Sequence, residues 1–516
     1  MATHAQEIKS VTLGDQPISI EEFVAVARFG ARVEFAPSYE DRVRKSRGLI
    51  EKFLDENRLI YGVTTGFGDN VTEVIAPEDA IALQRNIILS HAVSVGDPLS
   101  GEVVRAIQLM MLVGLGQGYS GTSFDTLDLI RELLNNGITP YAPGEGSVGY
   151  LSVEAHMALV LLGEGRAWAN GELVSGREAL ETFGLQPVTL GCKEGLTLTN
   201  GTHSVTGIGV LLAYDAVRAA TVADAAAALS LEALKGTICA FDPRLQALKK
   251  HPEQAAVARN VSRILDGSEI IDKYRLYRVQ DTYSLRGIPQ VHGGAKRAIK
   301  NAVAIIEDEL HSVGDNPVLI PEGDDGDAIM GANFDSTFVA IQADTIMTAL
   351  TVLAKISERR TDRMVNSAFS ELPAFLAPNP GLNNGYMIPQ YTSAALLMEM
   401  RASSFPASVD SVTTSANQED TVSNAYLAMT KAYRGVKKLR YILAIELMCA
   451  AQAADLLDGP ETGSEGSNAL RQAIRKIAPP VTVDRFFGDE IELLENGILD
   501  GSLIESLESV VGELEF

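Results

Sequence analysis

The residues able to do chemistry in this chain stand in loops rich in Gly, Asn, Thr and aromatic side chains, set between long alanine- and leucine-rich runs. Tyr61 opens the loop YGVTTGFGDN (61–70), where glycines let the backbone bring a phenol close to a substrate and let the loop close over it. A tyrosine so placed is a general base only if a neighbouring donor or positive charge stabilises its phenolate, because a free phenol titrates near about 10. Otherwise it is an ordinary packed side chain. His91, in LSHAVSVGD, follows an apolar helical stretch and is either a ring contact in a site or a satisfied helix-end residue. Asn200, in LTNGTHSVTG, is a polar contact or a turn former. Arg286, in QDTYSLRG, can fork onto a carboxylate by two parallel hydrogen bonds, or make a structural salt bridge. Glu419, in NQED, is a substrate contact, a cap or a subunit salt bridge. Cys192, Cys239 and Cys449 are far apart and odd in number, which gives neither a disulfide framework nor a zinc spacing, so no metal site is expected.

The elements that must position these residues are helices. Alanine, leucine and glutamate dominate, and β-branched alternation is scarce beyond the first thirty residues, which predicts a mainly α fold. Residues 338–364 contain no Gly or Pro and follow the N-cap types Asp335 and Ser336, so they read as one long helix. A second runs from about 425 to 457, with Val436, Leu439, Leu443 and Leu447 on one face. Helices this long, apolar over much of their circumference, suit a bundle shared between subunits, and an oligomer is expected. The reading divides the chain into an N-terminal domain (1–215) with the Tyr61 loop, a central long-helix bundle (216–460) and a C-terminal helical segment (461–516). At 516 residues and 46% hydrophobic content a large core is available, and the net charge of −24 disfavours a nucleic-acid partner. A small-molecule substrate fits better. The apolar run YILAIELMCAAQAA carries Glu446 and Gln452, which reads as core helix rather than membrane span, and no secretory pattern is visible, so a cytoplasmic protein is expected.

Taken in order, the segments YGVTTGFG, LQRNIILSHAVSVGD, KEGLTLTNGT, QDTYSLRGIPQVHG, DNPVL, KISERR, GLNNGYMIPQ and PASVDSVTTSANQED resemble the histidine ammonia-lyase and aromatic amino acid lyase family. The resemblance implies that family's long-helix bundle, of the fumarase/aspartase-like type, as a homotetramer in which several subunits build each active site. It makes Tyr61 the base that removes the β-proton and Arg286 the clamp on the substrate carboxylate. Asn200 and Tyr283 would line the reacting amino acid, with Gln280, Phe334 and Gln390 as further candidates. His91 and Glu419 look like the histidine-type members, where they attend an imidazole ring. A hydrogen-bonding pair of this kind would be left unpaired by a benzene ring.

One segment departs from the family. After GSVG, members carry Ala-Ser-Gly, which cyclises into a methylidene-imidazolone electrophile that activates the amino group; here Gly149 is followed directly by Tyr150 and Leu151. Either the cyclised tripeptide belongs to the native protein as a modified residue that the sequence does not spell out, giving an ordinary histidine ammonia-lyase with that autocatalytic group, or the chain works without any cofactor. The second reading is the leading expectation. A quaternary ammonium already carries its charge and can depart without covalent activation, which resembles the ergothionase branch of the family, releasing trimethylamine from ergothioneine to give thiolurocanate. Tyr283, Tyr386, Phe334 and Tyr150 would then be candidates to face the trimethylammonium, and Cys192 and Lys193 to sense a ring sulfur. A third reading, from a different class, is a catalytically inactive binding paralogue.

Overall fold

The computed structural model describes residues 4–76, 79–323 and 325–516. It is mainly helical, and the two long helices read from the sequence appear as Thr337–Val365 and Ala425–Asp455. The expected apolar face of the latter, Val436, Leu439, Leu443 and Leu447, is wholly buried.

Contacts divide the chain into two units, and each is discontinuous in sequence. The first comprises Met1–Tyr214, Val303–Ala343 and Pro406–Thr430, the second Asp215–Ala302, Asp344–Phe405 and Lys431–Phe516. This corrects the three consecutive domains expected. Long helices such as His203–Ala233 and Ile288–Leu310 carry the chain from one unit into the other, so no cut at single positions separates them.

In the first unit a parallel pair of strands, Ser10–Leu13 and Arg32–Phe35, turns Val11, Leu13 and Val33 inward. The helix Ile20–Ala27 starts at a capping box in which Ser19 and Glu22 satisfy each other's backbone N–H groups. A core of Leu49, Ile50, Phe53, Ile60, Val63, Ala80, Cys192 and Leu319 holds the start of the Tyr61 loop, since Ile60 and Val63 are buried on either side of Tyr61. At about 1.5–3 kcal/mol for each large side chain taken out of water, this anchoring outweighs the flexibility of the glycines that follow. The antiparallel strands Val318–Glu322 and Asp325–Ile329 also belong to this unit, with Asp324 between them outside the described residues.

The second unit buries a charged network among its helices. Asp224 accepts hydrogen bonds from His292 Nδ1 (2.8 Å), Lys296 Nζ (2.6 Å) and Asn260 Nδ2 (2.9 Å). Glu446 accepts from Ser230, Ser357 and, in a fork, Arg360 Nε and Nη2. The segment expected to stand apart at the C-terminus belongs to this unit. Arg440 Nε donates to Glu495 at 2.6 Å, and the Glu515 carbonyl accepts from Lys296 and Asn260. Two helical stretches, Glu194–Ala233 and Thr337–Val365, are long and apolar enough to cross a membrane by length and composition alone, and most of their apolar surface is buried within the protein.

Candidate active site

Tyr61, His91, Tyr150, Asn200, Phe334 and Glu419 lie in the first unit, and the Glu419 charge reaches Tyr61, His91 and Tyr150. Tyr61 is half-buried, and its hydroxyl accepts a hydrogen bond from the Gly68 N–H at 2.8 Å. Two glycines make this loop possible. Gly62 has φ +64, and a Cβ there would lie 2.3 Å from the Leu196 side chain; Gly68 has φ +59, and a Cβ would lie 2.6 Å from Ser415 Oγ. Burial holds the Tyr61 phenol above its ordinary value, the Gly68 N–H opposes this, and the Glu419 charge adds to it.

His91 ends the helix Ala80–His91. Its Nδ1 lies 2.8 Å from the Ile87 carbonyl oxygen, an acceptor only, so Nδ1 carries the proton and donates, leaving Nε2 as the acceptor of the neutral ring. The imidazole packs 5.5 Å from the Phe67 ring. Burial lowers its pKa, opposed by the Ile87 carbonyl and by Glu419. Glu419 is fixed by a short antiparallel bridge with Thr414, whose hydroxyl donates to Glu419 Oε2. Tyr150 is buried, with its ring edge against Phe334 at 5.3 Å and 75°. Burial raises its phenol pKa, and Glu419, Asp335 and Tyr61 raise it further. Glu419 therefore acts on Tyr61, His91 and Tyr150 alike, and Phe334 joins them through Tyr150.

Asn200 lies at the C-terminal end of the short helix Glu194–Thr199, and its amide reaches Asp315 Oδ1 and the Asn316 carbonyl at 3.4 Å each. Asp315 also accepts from Lys193 Nζ at 2.6 Å, a fully buried pair. Lys193 is thus committed to Asp315, and Cys192 is part of the core cluster, so neither is placed to sense a ring sulfur. The sequence reading missed Asp315, Phe67 and the buried Glu154. DNPVL and the Phe of YGVTTGFG marked the first two as loop residues without assigning them a role.

The loop at 149–152 is strained. Leu151 has φ 81 and ψ −71, and the Ser152 N–H bonds back to the Tyr150 carbonyl at 3.2 Å, a tight three-residue γ-turn. The Leu151 N–H donates to the Thr199 carbonyl at 2.9 Å, which ties this turn to the residue before Asn200.

The remaining candidates lie in the second unit. Tyr283 begins the one-turn helix Tyr283–Arg286 and is 77% exposed. Arg286 Nε donates to the Asp281 carbonyl at 2.8 Å, and its guanidinium sits 4.5 Å from the Tyr283 ring. No acidic partner for Arg286 occurs among the described residues, so the structural salt bridge is not formed and its outer amino groups are free to take a carboxylate. Gln280 is exposed, and the Gln390 amide donates to Glu358 Oε1 at 2.9 Å. Tyr386 corrects the sequence reading. It is wholly buried, stacked 5.3 Å from Phe487, and cannot present a face to a trimethylammonium group. Among the described residues no cluster of His, Cys, Asp and Glu is arranged to hold a metal ion.

Residues 18–476 match the aromatic amino acid lyase family. The chain belongs to that family. It is accordingly a carbon–nitrogen lyase. The histidine ammonia-lyase of Symbiobacterium thermophilum is 44% identical over 98% of this chain and 100% of its own length. That of Caldanaerobacter subterraneus subsp. tengcongensis is 42% identical over 97% and 98%. Among solved structures, histidine ammonia-lyase from Trypanosoma cruzi superposes with a TM-score of 0.90 at 33% identity, covering 98% of this chain and 96% of that one. Ergothionase from Treponema denticola, solved with desmethyl-ergothioneine sulfonic acid, gives 0.88 at 28% identity over 96% and 100%. In this family the electrophile is built from Ala-Ser-Gly, a tripeptide that occurs nowhere in the 516 residues. At the corresponding loop Tyr150 packs against Phe334, and neither Tyr150 nor Leu151 carries the β-hydroxyl from which that group is built, so these residues do not fit it.

Proposed function

We propose that this lyase eliminates the α-amino group and a β-proton from a histidine-type amino acid, with histidine, giving urocanate and ammonia, as the first reading. The observation that carries it is the pair His91 and Glu419 beside Tyr61: an imidazole acceptor and a carboxylate suit a ring with N–H donors and nitrogen acceptors, not a phenyl. The 40–44% identity to histidine ammonia-lyases supports the same ring. Tyr61, as a phenolate stabilised by the Gly68 N–H that donates to its oxygen, takes the β-proton and becomes the phenol. The family resemblance gives Arg286 the substrate carboxylate and gives Asn200 and Tyr283 the lining of the reacting amino acid.

One observation favours a second reading. The loop holding Tyr150 lacks the tripeptide that makes ammonia a good leaving group, and a quaternary amine needs no such help. Ergothioneine, giving thiolurocanate and trimethylamine, is the substrate of that type, and an ergothionase is among the structural neighbours. We expect a homotetramer in the cytoplasm, acting on a small molecule. Purified full-length protein offered histidine and ergothioneine side by side, with urocanate, ammonia, thiolurocanate and trimethylamine measured, separates the readings. Urocanate and ammonia support the first, thiolurocanate and trimethylamine the second. Binding of either amino acid without turnover would leave an inactive paralogue.

A further inference from the structure

We propose that this chain performs its elimination without a cyclised backbone electrophile, and that Tyr150, held by the γ-turn at 150–152 with its ring against Phe334, is the side chain that faces the departing amine. The inference rests on the lyase reading above.

Forming a methylidene-imidazolone requires a central residue whose β-substituent leaves as water, and a following backbone nitrogen free to attack the preceding carbonyl. Neither tripeptide centred on Tyr150 or Leu151 has such a β-hydroxyl. The two serines nearby are committed elsewhere. Ser147 Oγ donates to the Tyr150 carbonyl and accepts from the Gly149 N–H, both at 3.2 Å; Ser152 starts the helix Ser152–Leu161 and its hydroxyl accepts from Ser94 at 2.9 Å. The backbone is also spent, with the Leu151 N–H on Thr199 and the Ser152 N–H on Tyr150.

The turn is firmly held. Tyr150 is 6% exposed, in a turn whose positive φ at a non-glycine residue persists only where its surroundings hold it. Its ring and that of Phe334 meet edge to face, Ser423, four residues beyond Glu419, lies 3.5 Å from a Cβ built on the adjoining Gly149, and the charges of Glu419 and Tyr61 reach the Tyr150 phenol. Aromatic faces attract ammonium and quaternary ammonium groups. With the amine seated there, elimination balances without a co-reactant. The Cβ–H bond breaks with its proton passing to the Tyr61 phenolate oxygen, which becomes the phenol; the electron pair forms the Cα–Cβ double bond, and the Cα–N bond of the positively charged ammonium breaks with the amine leaving as a neutral molecule that keeps the bonding pair.

The test has two arms on the purified full-length enzyme. The first is the mass of the intact protein and of the peptide containing residues 146–156. The expected masses are those of the unmodified sequence; a deficit of two waters, or an excess matching a cyclised tripeptide inserted in this loop, would overturn the proposal. The second measures binding of Nα,Nα,Nα-trimethylhistidine and of urocanate, which lacks the amine, to Tyr150→Phe and Tyr150→Leu. The aromatic variant should hold the trimethyl cation within about threefold of the parent. The leucine variant should lose about tenfold for the cation and little for urocanate. Equal losses for both ligands, or none for the cation, would remove Tyr150 from this role. Because neither arm needs turnover, failure of the lyase reading would show separately, as absence of product from histidine and ergothioneine.

Discussion

Substituting Glu154 by Gln should change how stability depends on pH. Glu154 is wholly buried in the helix that follows the Tyr150 turn; one carboxyl oxygen accepts from the Ser204 N–H at 3.1 Å, and the other has no protein partner among the described residues. Burial pushes its pKa from 4.5 up to about 7, opposed by the Ser204 hydrogen bonds. Between these two values the folded protein keeps a proton that the unfolded chain has released. The folded value is the raised one, so stability falls as pH rises from 4.5 to 7, and above that window this group adds no further slope. At about 1.4 kcal/mol for each pH unit separating the two values, the full crossing is worth roughly 3 kcal/mol, and roughly 2–3 kcal/mol of it falls between about pH 5 and 8. Glutamine keeps an oxygen for Ser204 and does not titrate. Urea unfolding of both proteins at matched pH should therefore show Glu154→Gln gaining roughly 2–3 kcal/mol on the parent between these limits. Parallel profiles for the two proteins would mean instead that the buried carboxyl is already ionised in the folded state across this range.

Other outcomes follow from the same geometry. Tyr61→Phe removes the base and should lower kcat by on the order of 10²–10⁴ with little change in KM, read by steady-state kinetics on the turned-over substrate; a variant of unchanged kcat would exclude Tyr61 from proton removal. Glu419→Gln removes the negative charge that raises the Tyr61 pKa, so the rising alkaline limb of kcat/KM should move to lower pH; a limb that stays in place would separate the two residues. Glu446→Gln leaves the Arg360 guanidinium buried without its ionic partner, and should cost about 3–5 kcal/mol of unfolding free energy by urea titration; a loss below about 1 kcal/mol would show that Arg360 finds another anion or water.

The long helices were legible because their signals are local. An uninterrupted run after Asp335 and Ser336 sets the start of Thr337–Val365, and periodic apolar residues mark the buried face of Ala425–Asp455. The Tyr61 loop was legible for the same reason, its glycines being required at Gly62 and Gly68 by close approach and positive φ. What local patterns do not carry is convergence. Nothing along the chain says that Glu419 lies within electrostatic reach of residues 61, 91 and 150, or that Asp315 gathers Lys193 and Asn200. Tyr386 was misread because its Asn- and Gly-rich neighbours look like an exposed loop, whereas the side chain packs beneath Phe487. The domain boundaries were misread because long helices supply residues to both units.

The proposed selection of an imidazole-bearing amino acid by His91 and Glu419 is read in kcat/KM of the purified enzyme for its imidazole substrate, histidine or ergothioneine, against phenylalanine. A site whose polar groups must be paired by the ring should reject phenyl by on the order of 10⁴. Comparable values for the two rings, or preference for phenylalanine, would contradict it.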